Sequence, residues 1–288
     1  VRGDLEDTHE EHSSPVCHFS SVRLFVVLTL ILQWQTCSID FSNAFVQSEM
    51  PADKPMWIHL PRGFRSDHSH RICLHLQKSL YGTKIAPLLW FNTVLGAFKS
   101  LGFVQSKQDQ CLLLRFDIII VLYVDDAGIG AKEEATIDKL VQDLRDLGFE
   151  LTKEGSFTEF LGIQMKNRPD GTIELTQTGL IDKCLAAALM TDCSTNQIPA
   201  SSTPLGSDPD GLPMNESWSY RSIVGMLMYL STNTRHDIQF AVSQVSRFTS
   251  NPKQSHSTAV KTILRYLKRT RLSGTIMKPT GKLDLDLY

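Results

Sequence analysis

The chain has 288 residues, 42% hydrophobic and 21% charged, which is long enough for two domains with buried cores. That balance excludes a disordered chain and a membrane protein, and the formal net charge of -2 excludes a chain-wide basic attraction for nucleic acid. Any phosphate-binding surface must come from local clustering.

Residues 1–15 are polar and acidic, with Asp4, Glu6, Asp7, Glu10 and Glu11, and read as a disordered leader. Residues 24–32 are the most apolar stretch, yet a membrane span needs roughly twenty such residues and a signal peptide opens on positive charge. A buried helix over 23–35 is therefore predicted. Residues 36–41 (TCSIDF) form a short strand that delivers Asp40, followed by a helical turn at 43–45 and brief strands at 56–60 and 71–76. Pro87 suits the first turn of a helix, whose buried stripe is Phe91, Val94, Leu95, Phe98 and Leu101 and whose end is Gly102. Next come strands at 111–116 and 118–124. The second is apolar on both faces, as a covered central strand must be, and 127–130 read as its hairpin return. Ile137, Leu140, Val141, Leu144 and Leu147 keep the spacing of an amphipathic helix. Strands at 149–152, 160–165 and 172–176 and a helix near 180–189 complete this half.

Residues 198–219 carry Pro199, Pro204, Pro209 and Pro213 among Ser, Gly and Asp, and read as a linker. Beyond it the pattern is helical, over 220–232, 237–248 and 255–271. The predicted class is α+β, a mixed unit followed by a helical one. Six scattered cysteines without a Cys-x-x-Cys pair point to reduced thiols in an intracellular protein, not to a disulfide framework or a zinc site.

Chemistry concentrates at Tyr123-Val124-Asp125-Asp126, at the end of the apolar strand. Adjacent carboxylates there raise each other's pKa, and burial adds to the cost. A hard divalent cation such as Mg²⁺ relieves it; the alternative is an Asp pair capping a turn. Asp40 alone is an ordinary helix N-cap. Set beside Asp125 on a neighbouring strand, it proposes a carboxylate clamp for two metals about 3.5–4 Å apart. In the C-terminal part, Lys261, Arg265, Lys268 and Arg269 line one helix face, opposite Val260, Ile263, Leu264 and Leu267. That stripe is expected to be wholly solvent-facing, on the side of the Asp cleft, either as a phosphate-binding surface or as an ordinary solvated face.

The motifs DFSNAF (40–45), KSLYG (78–82) and YVDD (123–126) resemble the palm of copia-type retrotransposon reverse transcriptases. Lys84, Ala86, Pro87, Trp90, FLGI (160–163), YRSIVG (220–225) and LRYLK (264–268) extend the resemblance in the same order over roughly residues 15–288. It implies a right-hand palm of the split β-α-β type with partial fingers over 16–197 and a helical thumb or connection over 220–288. It implies RNA-directed DNA polymerisation from deoxynucleoside triphosphates on an RNA template and DNA primer, with two Mg²⁺ ions that Mn²⁺ can replace, in the cytoplasm. Asp40 and Asp125 would ligate the metals, with Asp126 beside them. Phe45 would exclude a 2′-hydroxyl, and Phe41, Tyr81, Gly82, Lys84 and Tyr123 would surround the nucleotide.

Ile85 and Leu88 stand where the family carries Gln and Arg. The finger strands would precede Pro15, and a ribonuclease H domain would follow Tyr288, so the chain reads as truncated at both ends. Metal binding with weak primer extension is the corresponding expectation. The alternatives are a catalytically silent nucleic-acid-binding remnant and a two-metal transferase that needs no RNA template.

Overall fold

The apolar run Ile118–Tyr123 is strand β6 of a six-stranded antiparallel sheet, buried along nearly its whole length. The computed structural model describes residues 13–60, 63 and 72–279, so most of the expected acidic leader and the last nine residues lie outside the described residues. The described chain divides into two units, one running to Phe157 and the other starting at Thr158.

In the first unit, helix α1 (Phe19–Ile31) precedes β1 (Gln35–Phe41), a 3-10 turn (Ala44–Gln47), and the ribbon of β2 (Trp57–His59) and β3 (Cys73–His75). Helix α2 (Ala86–Ser100) is followed by β4 (Val104–Gln105), β5 (Leu112–Arg115), β6, β7 (Asp126–Ala131), α3 (Glu134–Asp146) and β8 (Leu151–Lys153). The sheet order is β4-β5-β6-β7-β1-β8. Helix α1 packs over β6 and β7, and α3 over β7, β1 and β8, which explains why β6 has no polar face.

Helix α1 starts four residues before the predicted helix because its N-terminus is held from a distance. The buried carboxylate of Asp109, in the β4–β5 loop, accepts from the His18 backbone N–H at 2.9 Å and from the Ser21 hydroxyl. A free helix end leaves such donors unpaired. The Ala-Gly alternation of β7 records a close approach: a Cβ on Gly130 would stand 2.5 Å from Cγ2 of Thr29 in α1. Helix and sheet meet there at a distance that only glycine allows.

The second unit contains β9 (Glu159–Phe160), β10 (Ile163–Asn167), β11 (Ile173–Thr176), α4 (Thr178–Ala187), α5 (Tyr220–Asn233), α6 (Gln239–Ser246), α7 (Gln254–Arg269) and β12 (Thr275–Met277). Its antiparallel sheet runs β12-β11-β10-β9. The four helices share one core, with Ile181, Leu227, Val242 and Leu264 among its buried residues. Two expectations are corrected here. The single strand predicted over 160–165 is broken by a turn, with Leu161 at φ 54° and Gly162 at φ 71°, so Phe160 and Ile163 face each other as a hairpin pair. The C-terminal part is not wholly helical either. Past α7 the chain returns as β12 on β11, where Gly274 passes so close to the Leu175 carbonyl that no side chain fits. No helix among the described residues is long and apolar enough to cross a membrane.

Candidate active site

Strand pairing gathers the acids of the first unit. In the β1–β7 register Asp40 lies directly opposite Asp126, so the two carboxylates occupy one face of adjacent strands. Asp125 is not on a strand. Tyr123 and Asp126 pair across β6 and β7, which leaves Val124 and Asp125 as a two-residue turn. The backbone N–H of Phe41 donates to the Asp125 carbonyl at 2.8 Å and binds that turn to the end of β1.

Such turns need a positive φ at their first central residue, ordinarily met by Gly or Asn. Here the β-branched Val124 supplies it, at φ 52°, a conformation that costs about 1–3 kcal/mol unless its surroundings enforce it. Trp90, 1% exposed, does so: its indole Nε1–H donates to the Val124 carbonyl at 2.6 Å. The indole is held in turn by edge-on packing against Phe41 and Phe149. The family pattern includes Trp90, but its grip on the turn was not read from the sequence. The available signal was chemical, since a buried indole N–H has to find an acceptor.

The carboxyl of Asp125 is pushed above the usual range by partial burial and by Asp40; the Tyr81 hydroxyl donates to its Oδ2 over a long 3.4 Å and offsets part of this. Its Oδ1 is buried and has no hydrogen-bond partner among the described residues. Asp126 is also pushed up, first by burial and then by Asp40, Glu154 and Asp125. Negative charge is therefore concentrated at this point of the sheet, and hard carboxylate oxygen is the donor a divalent cation takes. Among the described residues no three His, Cys, Asp or Glu side chains form a ready-made metal group.

Beside the acids stands an aromatic pair. Phe45, in the 3-10 turn after β1, is half-buried with its ring 4.6 Å from that of Tyr81. The Ser79 hydroxyl donates to the Phe45 carbonyl, and Gly82 takes φ 91° in the following turn. Lys84 and Tyr123 are half-buried. Phe41 is placed differently from expectation: its ring is 1% exposed and packs in the core on Trp90. Only its backbone reaches the site.

In the second unit the basic stripe is not wholly solvent-facing. Lys261 is ion-paired with Glu216 at 2.6 Å, Lys268 donates to the Cys193 carbonyl at 2.7 Å, and Arg265 is half-buried, while Arg269 is exposed. Lys261 is engaged by the segment expected as a linker, which runs beside α7, and Lys268 by Cys193 just ahead of that segment. Gly206 accepts from His256 and Asp208 from Ser255, Gln254 donates to Leu212, and Met214 donates to Pro252. Glu216 also accepts from Gln254 and Ser257, and these contacts, with Lys261 foremost, hold its carboxyl down at about 2 against an ordinary 4.5. A carboxyl depressed on folding stabilises above its unfolded pKa, and the gain fades as pH falls towards its folded pKa. Glu216→Gln is therefore expected to lower stability by about 1–2 kcal/mol at pH 7. The gap to the parent should close between pH 4.5 and 2, as followed by thermal melts; a gap independent of pH would contradict the ion-pair account.

The family model described as reverse transcriptase (RNA-dependent DNA polymerase) matches residues 4–202. The retrovirus-related Pol polyprotein from transposon RE1 of Arabidopsis thaliana is 31% identical over 285 residues, which is 97% of this chain and 19% of that protein. The corresponding polyprotein from transposon TNT 1-94 of Nicotiana tabacum is 32% identical over 91% of this chain and 20% of its own length. The putative transposon Ty5-1 protein of Saccharomyces cerevisiae is 28% identical over 87% of this chain and 82% of itself. The chain thus spans about a fifth of the two plant polyproteins. With the family model covering most of its length and the Pol relatives matched along nearly all of it, the chain belongs to the reverse transcriptase (RNA-dependent DNA polymerase) family, in its copia-type branch.

Proposed function

We propose that the first unit is a polymerase palm that adds deoxynucleotides to a primer 3′-hydroxyl under the direction of an RNA template. The observation that carries this reading is the meeting of Asp40 with the Asp125-Asp126 segment, where a buried carboxylate oxygen of Asp125 has no hydrogen-bond partner among the described residues. Asp40 and Asp125 would hold Mg²⁺, with Asp126 as a more exposed supporting acid. When bound, Mg²⁺ supplies charge neutralisation for the triphosphate and lowers the pKa of the primer hydroxyl. The protein's own part is positioning, which supplies much of the catalysis in phosphoryl transfer.

The left-handed Val124 turn sets where Asp125 points, and the Phe45–Tyr81 pair forms a wall on which a nucleotide's sugar and base can rest. In residues 220–288, read as thumb and connection, Arg269 is the exposed member of the basic set and the one best placed to meet a phosphate. Lys261 would first have to leave Glu216.

The test is stepwise extension of a labelled DNA primer on an RNA template, one nucleotide type at a time, with Mg²⁺ or Mn²⁺. Addition of the complementary nucleotide alone supports the reading. Addition irrespective of template would make the chain an untemplated transferase. Primer–template binding with no addition at any metal concentration would make it a silent binder.

Trp90→Phe tests the positioning role of the indole. Phenylalanine keeps most of the packing and removes the hydrogen bond to Val124, so a stability loss of about 1–2 kcal/mol is expected. Extension should fall by a larger factor, about tenfold or more in kcat with KM for the nucleotide little changed. A kcat unchanged at a temperature where both proteins are folded would leave Trp90 as a core residue only.

A further inference from the structure

The ribbon of β2 and β3 has exposed residues on both faces. Its register pairs Trp57 with His75, Ile58 with Leu74 and His59 with Cys73. Trp57 is 60% exposed, and Leu74 40%; His59, Cys73 and His75 are exposed as well. A bare two-stranded ribbon is marginal in water at best; one exposed ring would be ordinary by itself, and what sets Trp57 apart is how it is held.

Trp57 is also held in place. Its ring stacks on the His75 imidazole with centroids 4.6 Å apart and planes 28° from parallel. The Gln77 amide lies 2.9 Å from Nδ1 of His75 in a hydrogen bond that orients the imidazole. One face of the indole is thus backed by an oriented ring, and its 60% exposure leaves surface that can receive a further flat ring.

Charge and connectivity narrow the occupant. Residues 54–60 and 72–78 contain Lys54, His59, His75 and Lys78 and no Asp or Glu. The base of the ribbon continues straight into the candidate site: Leu76 donates to the Met56 carbonyl, Met50 to Gln77, and Ser79 to Ser48, and the Ser79 hydroxyl donates to the carbonyl of Phe45. An oriented aromatic face on two strands that carry no acid themselves, though Asp53 adjoins them, and hydrogen-bonded to the segment that carries Phe45, has the chemistry of a platform for unpaired bases.

We propose that the Trp57–His75 stack is a base-stacking platform for single-stranded nucleic acid, namely the unpaired template next to the nucleotide site. The polymerase reading identifies which strand this is; the stacking itself does not depend on it. Stacking needs bases rather than phosphates, tolerates any sequence, and adds nothing to counterion release.

The experiment measures binding of a labelled single-stranded oligoribonucleotide, and of an abasic strand of equal length, by fluorescence anisotropy in EDTA without nucleotides. Nucleotide addition plays no part in the readout, so a chain unable to extend primers still tests the platform. Trp57→Ala is expected to weaken binding of the intact strand about tenfold and to leave the abasic strand unaffected. Trp57→Phe, which keeps an aromatic face, should stay within about threefold of the parent, and the salt dependence should be the same in all three proteins. Equal binding of the intact strand by parent and Trp57→Ala would overturn the proposal. So would an equal loss for intact and abasic strands, or a failure of Trp57→Phe to restore binding, and the ribbon would then face a protein or nothing.

Discussion

Asp125→Asn is expected to abolish nucleotide addition while leaving the fold at least as stable as before. Disturbing a residue that merely supports a metal ligand commonly costs about 10–100-fold, so loss of the ligand itself should exceed a hundredfold and take extension below detection. The opposite sign in stability follows from electrostatics. The Asp125 carboxylate sits in the field of Asp40 with one oxygen buried and without a hydrogen-bond partner among the described residues, and its charge opposes folding when no cation is present. Asparagine removes that charge at nearly constant volume. Without divalent metal, a gain of up to about 1 kcal/mol is in scale with like charges set against each other on a sheet, whereas added Mn²⁺ should stabilise the parent more than the variant. Extension by Asp125→Asn at the parent's rate would remove the catalytic reading. A lower melting temperature of the metal-free variant would show instead that Asp125 serves the turn.

Phe45→Ala should open the site to ribonucleotides. Phe45 follows Asp40 by one short turn and presents a half-buried ring beside Tyr81; under the proposed function it would neighbour the sugar of a nucleotide whose phosphates sit at Asp40 and Asp125. Steric exclusion of a small group is worth about 1–3 kcal/mol, so the ratio of kcat/KM for deoxy- over ribonucleotide should fall by roughly ten- to a hundredfold. Loss of the Tyr81 contact should destabilise the protein by only about 1 kcal/mol, and Phe45→Tyr should keep the discrimination. A ratio unmoved by Phe45→Ala would make Phe45 a packing residue, and selection of the sugar would lie elsewhere.

Much of this arrangement was legible in the sequence, for reasons that can be stated element by element. An unbroken apolar run can only be a covered strand or helix, so β6 was identifiable, and the helical spacing of Ile137 to Leu144 marked α3. Asp40 and Asp125 could be singled out because each ends an apolar stretch. The facing of Asp40 and Asp126 could not, because register is set by pairing between distant segments. Long-range hydrogen bonds escaped for the same reason. Asp109 on the start of α1, Trp90 on Val124 and Glu216 on Lys261 each join residues far apart in the chain. The basic stripe of α7 is the instructive miss. Its periodicity correctly separated an apolar face from a charged one, but it could not show that a Pro- and Ser-rich segment lies beside the helix and engages Lys261.

That segment changes where the molecule can be dissected. Composition invites a cut before Tyr220, to obtain the last helices as an independent piece. Such a piece would lack Glu216 and the backbone partners of Gln254, and β12 would have no β11 to pair with. It would also lack Ile181 and Leu185, which α4 contributes to the shared core. The join between Phe157 and Thr158 leaves each sheet whole and separates no residue pair named above. A fragment library or a limited digest should therefore recover folded material bounded near that point, with residues 198–219 behaving as a protected strap rather than a hinge.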